Sequence, residues 1–276
     1  MSVLGDGAQE VRYEPAQSGA GCIRVGTSTI AFSNLEPIDF SGVPLHSVTL
    51  GAPASVTIQN GFDFATGTHP ALRISGTSNG SPFETEAVWD VSSLVIDAQS
   101  NDDQLSAITI QSADAAANIT NLQLFAYAVA VHGPVTVSGG LLFYSNTLDE
   151  YLAPKITASE LRMDIGSSVI LSNNAVGALY AIILPYGIYT KGSLDFVNDG
   201  SMRVDGIYAH DAVTLTVTNG TIDLSGPITT PSTLTINGPI SVHGRPAGDT
   251  NGNRTVDVAD VFYLINFLFA GGPAPY

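Results

Sequence analysis

The sequence is first narrowed by what it has little of. Its 276 residues include one cysteine, Cys22. No internal disulfide framework or thiolate metal site can form, and a lone thiol reads as a small buried residue. Lysine occurs only at Lys155 and Lys191, and nine bases stand against 25 acids, a formal charge of −16. A surface of that sign excludes nucleic acid and anionic membranes as partners. No apolar run approaches the roughly 18 residues of a membrane span. Met1-Ser2-Val3-Leu4-Gly5-Asp6 has neither the basic start nor the apolar stretch of a signal peptide. The chain is therefore expected to be a mature fragment with an added Met, or the tail of a longer reading frame. His46, His69, His132, His210 and His243 are scattered without metal-ligand spacing, so they read as core or surface histidines.

What is present, from about residue 11 to 244, is strand after strand. Ser55–Gln59, Leu72–Ser75, Leu94–Asp97, Ile108–Gln111, Val135–Ser138, Val169–Ser172, Val213–Val217 and Leu234–Asn237 all alternate apolar with small polar residues. Period two gives each strand one buried face. Asn60-Gly61, Ser138-Gly139, Asn219-Gly220, Ser225-Gly226-Pro227 and Asn237-Gly238-Pro239 punctuate them as turns. No amphipathic helix is expected before Val258, although Asp114 to Asn118 could form a single turn.

Two all-β architectures fit this pattern. One is a parallel β-helix, or solenoid, with short strands recurring every twenty to twenty-five residues or so and Asn and Gly at the corners; the other is a tandem β-sandwich. Internal echoes favour the solenoid: Val131–Val137 with Ile236–Gly244, and Ser193–Phe196 with Thr221–Leu224.

The most specific motif lies near the C-terminus, in Asp249-Thr250-Asn251-Gly252-Asn253-Arg254-Thr255-Val256-Asp257-Val258-Ala259-Asp260. Oxygen side chains occupy positions 1, 3, 5, 9 and 12 of a twelve-residue loop, and Thr255 stands at position 7, where a backbone carbonyl is donated. Ca²⁺ takes six to eight oxygens at about 2.3–2.6 Å, and a short loop can supply them only by turning alternate residues inward. The expected ligands are Asp249, Asn251, Asn253, Thr255, Asp257 and Asp260. Two neutral asparagines among them point to the weaker, extracellular end of the affinity range. The competing reading is an Asp/Asn/Gly-rich turn that holds no metal.

Residues 248 to about 272 resemble one repeat of a type I dockerin, an EF-hand-like calcium loop followed by a helix. Dockerins are secreted modules that carry two such repeats and dock onto cohesin domains. The resemblance implies Ca²⁺ as ligand and a protein partner. This chain departs from the family in having Arg254 at the sixth loop position, usually glycine, at a cost on the order of 1 kcal/mol. It also has a single repeat before Tyr276. Solitary repeats of this kind resemble the tails of large secreted bacterial surface proteins. Asn34–Val43 looks like segments of very long repetitive, adhesin-like bacterial proteins.

In the helix expected over 258–270, Val258, Val261, Phe262, Ile265, Leu268 and Phe269 fall at helical spacing, Leu264 broadens the stripe, and Gly271-Gly272-Pro273 stops it. Such a helix must bury its apolar face. It either lids the preceding domain or uses Val261, Phe262, Ile265, Leu268 and Phe269 to dock on a second copy or another protein.

Catalysis finds little support. Parallel β-helices include pectate lyases and polygalacturonases, but acidic polysaccharides want a basic groove, and this chain has few bases. Asp195, Asp199 and Asp205 form the densest acidic cluster, and Asp102-Asp103 lack the His-Gly and Arg-x-Lys companions of polygalacturonases; turn carboxylates explain them more simply. No catalytic residue is assigned. The aromatics around Phe125-Ala126-Tyr127, Phe143-Tyr144 and Tyr180 to Tyr189 read either as a sugar-binding face or as core stacks.

The expectation is thus a β-solenoid domain over 1–245 and a dockerin-like half module over 246–276. Together they would make a non-catalytic, extracellular or cell-surface protein whose calcium-binding tail caps the solenoid or docks to a partner. The alternatives are a dockerin-bearing protein that binds or degrades polysaccharide, as a lyase or glycoside hydrolase, and a calcium-dependent self-assembling surface protein.

Overall fold

Alternation in sequence becomes alternation in burial: along Ile156–Ile165, Ile156, Ala158, Leu161, Met163 and Ile165 are buried and the residues between them are not. A computed structural model describes residues 1–17, 19–34, 37–99, 106–150, 155–183, 192–242 and 258–270. Strand makes up 61% and helix 6%, in large mixed sheets, so the protein is all-β. All eight segments singled out by their alternation contain strand. The predicted turn at Asp114–Asn118 is a 3₁₀ turn, Ala115–Ala117. Asp114 caps it by accepting from the Ala116 N–H, and Asn118 closes it in the left-handed region at φ 54°.

The largest ladder is built mainly from parallel pairings, and from Ile119–Phe125 onward most paired strands lie roughly twenty residues apart in the chain. Leu45–Thr49 pairs with Val91–Asp97, and the ladder continues through Ile119–Phe125, Gly140–Ser145, Ile156–Ile165, Val169–Ile183 and Met202–Ala209. Equivalent inward residues stack in columns. Leu94, Leu122, Leu141, Leu161, Leu179 and Val204 follow one another in register, all at or below 1% exposure. A second ladder runs from Ser55–Phe62 through Ala107–Ile110 and Ala128–Val131 to Thr147–Glu150. The larger ladder does not close into a barrel: Ser28–Phe32 and Ile240–Val242 each have a single strand partner among the described residues.

Two fully buried asparagines in register, Asn174 and Asn198, bond backbone groups where the pairing of Val169–Ile183 with Leu194–Asn198 shifts register. Asn198 accepts from the Val176 N–H at 2.9 Å and donates to the carbonyls of Val176 and Gly200 at 3.2 and 3.1 Å. Asn198→Ala leaves buried backbone groups unpaired and is expected to cost about 2 kcal/mol in urea unfolding; an unchanged midpoint would contradict this role.

One turn departs from expectation. Asn60-Gly61 lies inside the strand Ser55–Phe62, and the hairpin reverses later, over residues 63–69. The reason is Asp63, whose carboxylate accepts from the N–H groups of Thr66, Thr68 and His69 and from the Thr66 hydroxyl at 2.6–2.8 Å. An anchor of that strength organises a longer loop than an Asn-Gly pair requires. Burial pushes the Asp63 pKa up, but these hydrogen bonds outweigh it and hold the carboxyl well below the usual carboxylate range. A depressed folded-state value means that the stabilisation is complete above the unfolded value of about 4 and is lost as pH falls below it. His69 stacks on Trp89, centroids 5.5 Å apart, and Trp89 is the sole tryptophan. Its fluorescence is therefore expected to report loosening of the hairpin in strong acid, and in Asp63→Ala already at neutral pH. Identical spectra for the variant and wild type would refute this.

Candidate functional site

The C-terminal helix Val258–Ala270 carries the first candidate. It starts at position 10 of the twelve-residue loop, so Asp260, position 12, falls in the first helical turn. That is where an EF-hand-like loop places its last ligand. Asp249, Asn251, Asn253, Thr255 and Asp257 lie outside the described residues, as does the side chain of Asp260. The residues predicted to dock are all exposed: Val261, Phe262, Ile265, Leu268 and, at 82%, Phe269. Val258 and Leu264 are exposed as well. No described helix is long and apolar enough to cross a membrane.

The acidic residues weighed for catalysis are kept apart by separate duties. Asp195 points outward from the strand Leu194–Asn198. Asp199 accepts from the Asn219 amide at 2.7 Å across a turn. Asp205 is the extra residue where register shifts between Val169–Ile183 and Met202–Ala209, and it takes a two-pronged bond from Arg203 at 2.5 and 2.8 Å. That hydrogen bonding, opposed by partial burial and aided by the charges of Arg203 and Arg162, lowers the Asp205 pKa. Asp102 and Asp103 lie outside the described residues.

The aromatics divide. Phe143 is fully buried in the column with Leu124 and Met163. Phe125 and Tyr144 face outward as register neighbours, with rings 5.8 Å apart. Tyr180 also faces outward and meets Tyr208, which sequence reasoning passed over, edge-on at 6.3 Å. Tyr186 and Tyr189 lie outside the described residues. Only pairing across strands could reveal Tyr208, because its alternation alone does not tell a lone surface tyrosine from one that completes a cluster.

Beside Tyr180, on the strands that carry Phe125 and Tyr144 and on the strand between those and Tyr180, is a depression of about 280 Å³ lined by Asn121, Gln123, Leu142, Glu160 and Arg162 among others. Arg162 donates to Glu160 at 2.6 Å.

A second constellation unforeseen from sequence is internal. His46 and Glu86, both side chains 0% exposed, approach at 2.9 Å between Nε2 and Oε2. His46 stacks on Phe40 at 4.2 Å. His46 Nδ1, Glu86 Oε1 and Tyr13 Oη are buried without a hydrogen-bond partner. Burial, followed by the charges of Glu86 and Glu84, pushes the Tyr13 pKa far up against the opposing effect of the Glu84 N–H.

Compared with known proteins, the chain matches no family model, no curated protein and no solved structure, so its function is argued from the geometry above.

Proposed function

We propose that this is a secreted or cell-surface, non-catalytic structural and interaction protein. It is read as a parallel β-solenoid that ends in a dockerin-like calcium loop and helix, and the helix covers its apolar face by docking. The observation that carries this reading is the exposure of that face, with Phe262 at 65% and Phe269 at 82%. A stripe of that size does not persist in water uncovered. Parallel register between strands about one coil apart supports the solenoid over tandem sandwiches, whose short hairpins would pair antiparallel. The last strands offer a surface of matching chemistry, since Leu234 and Ile240 are 43% and 49% exposed. The helix therefore caps the final coil of its own chain or of a second copy.

Calorimetric titration with Ca²⁺, paired with melting curves in Ca²⁺ and EGTA, tests the proposal. One site is expected with a Kd of roughly 10⁻⁴–10⁻³ M, so 10 mM Ca²⁺ should stabilise the unit that it folds by about 1.4–2.7 kcal/mol. A whole-chain melting point that falls in EGTA assigns the helix to its own chain. Calcium-dependent dimers in light scattering assign it to a second copy. Absence of any Ca²⁺ binding sinks the proposal.

A further inference from the structure

The outward surface of the large ladder differs from a plain solvated sheet. Register sets Gln123, Leu142, Arg162 and Tyr180 in one row across four strands. In the next outward-facing row, Phe125, Tyr144, Asp164, Ile182 and Tyr208 follow one another. Tyr180 is held against the backbone of Gly206, where even a Cβ would stand 3.1 Å from its ring. The Glu160–Arg162 depression spans the strands of Gln123, Leu142 and Arg162, with Tyr180 on the next strand and Phe125 and Tyr144 two residues further along the first two. Adjacent strands are about 4.8 Å apart and residues rise about 3.3 Å along a strand, which puts Tyr144 and Tyr180 roughly 12 Å apart.

Both arginines described on this face are already matched, and Asp164 adds a further carboxylate between Tyr144 and Ile182. Arg162 is paired with Glu160, and Arg203 with Asp205. No guanidinium is left over for an acidic ligand, and the net charge of −16 repels polyanions generally. What remains is aromatic rings, partly exposed, beside planar hydrogen-bonding groups. Pyranose rings present that same pair of features, a C–H face that packs on an aromatic ring and hydroxyl edges that bond carboxylate, amide and guanidinium groups.

We propose that this face binds a neutral oligosaccharide chain lying across the strands, with rings seated at Tyr144 and Tyr180 and hydroxyls on Gln123, Glu160 and Arg162. The site is independent of the calcium tail, so it stands or falls separately from the proposal above.

The test is calorimetric titration of the full chain with cellohexaose, xylohexaose and mannohexaose, and with hexagalacturonate as the anionic comparison, each in Ca²⁺ and in EGTA. At least one neutral hexasaccharide is expected to bind equally in both buffers and to bind at least tenfold more weakly to Tyr144→Ala and to Tyr180→Ala. Melting curves establish that each variant is folded, and Arg162→Ala, altered at a side chain 60% exposed, supplies a third variant whose fold is not at risk. The idea is overturned if none of the three neutral chains binds, if hexagalacturonate binds more tightly than they do, or if the folded variants bind like wild type. Binding that vanishes in EGTA would place the site on the tail and overturn it equally.

Discussion

Glu86→Ala is expected to destabilise the protein by about 3–5 kcal/mol, because it removes one partner of a fully buried pair and strands the other. His46 would keep neither ring nitrogen bonded, since Nδ1 already has no partner. Glu86→Gln retains a hydrogen-bonding group opposite Nε2 and should recover most of the loss. The more informative variant replaces both residues. His46 stands in register between Val11 and Leu94, in the column that continues through Leu122, while Glu86 lies between Ile38 and Ile74. His46→Leu/Glu86→Ile would complete both apolar columns. It is expected to fall within about 1 kcal/mol of wild type, since exchanging a buried polar pair for well-packed hydrophobic residues is often neutral or stabilising. Urea unfolding of wild type, His46→Leu, Glu86→Ile and the double variant measures the cycle. Additive losses would show that the pair is worth no more than its separate packing.

For Asp249→Ala/Asp260→Ala, the expected result is loss of the calorimetric Ca²⁺ signal. In the proposed calcium loop, positions 1 and 12 would supply two of the three carboxylates that balance the ion's charge, and position 12 is the bidentate ligand in loops of this kind. Asp260 also lies in the first turn of Val258–Ala270, where a negative charge favours the helix by a few tenths of a kcal/mol even without metal. Asp249→Ala alone separates the two effects: it should abolish binding while leaving that helix-end interaction in place. If Ca²⁺ restores the melting point of wild type and of neither variant, the ion holds the tail. Equal melting points for all three in Ca²⁺ and EGTA would reduce the motif to a turn.

The legible parts of this protein were those with a local cause. Alternation marked Ser55–Gln59, Leu94–Asp97 and Val213–Val217 as strands. Asp114 and Asn118 marked a single helical turn, and the loop register predicted a helix from Val258 onward. Asn60-Gly61 misled because a turn signal two residues long yields to a carboxylate that gathers four donors, and Asp63 recruits those donors from up to six residues away.

Composition and period, acting within a few residues, were enough to determine that the chain is all-β and ends in an apolar helix. Tertiary structure alone decided which strands are neighbours. A strand of period two fits the same core face against any partner of the same phase, so nothing near Leu122, Leu141, Leu161 and Leu179 announces that they share a column. The same reason hid His46 and Glu86, 40 residues apart in sequence. It hid as well the meeting of Tyr180 with Tyr208, because both contacts exist only once separate strands have come into register.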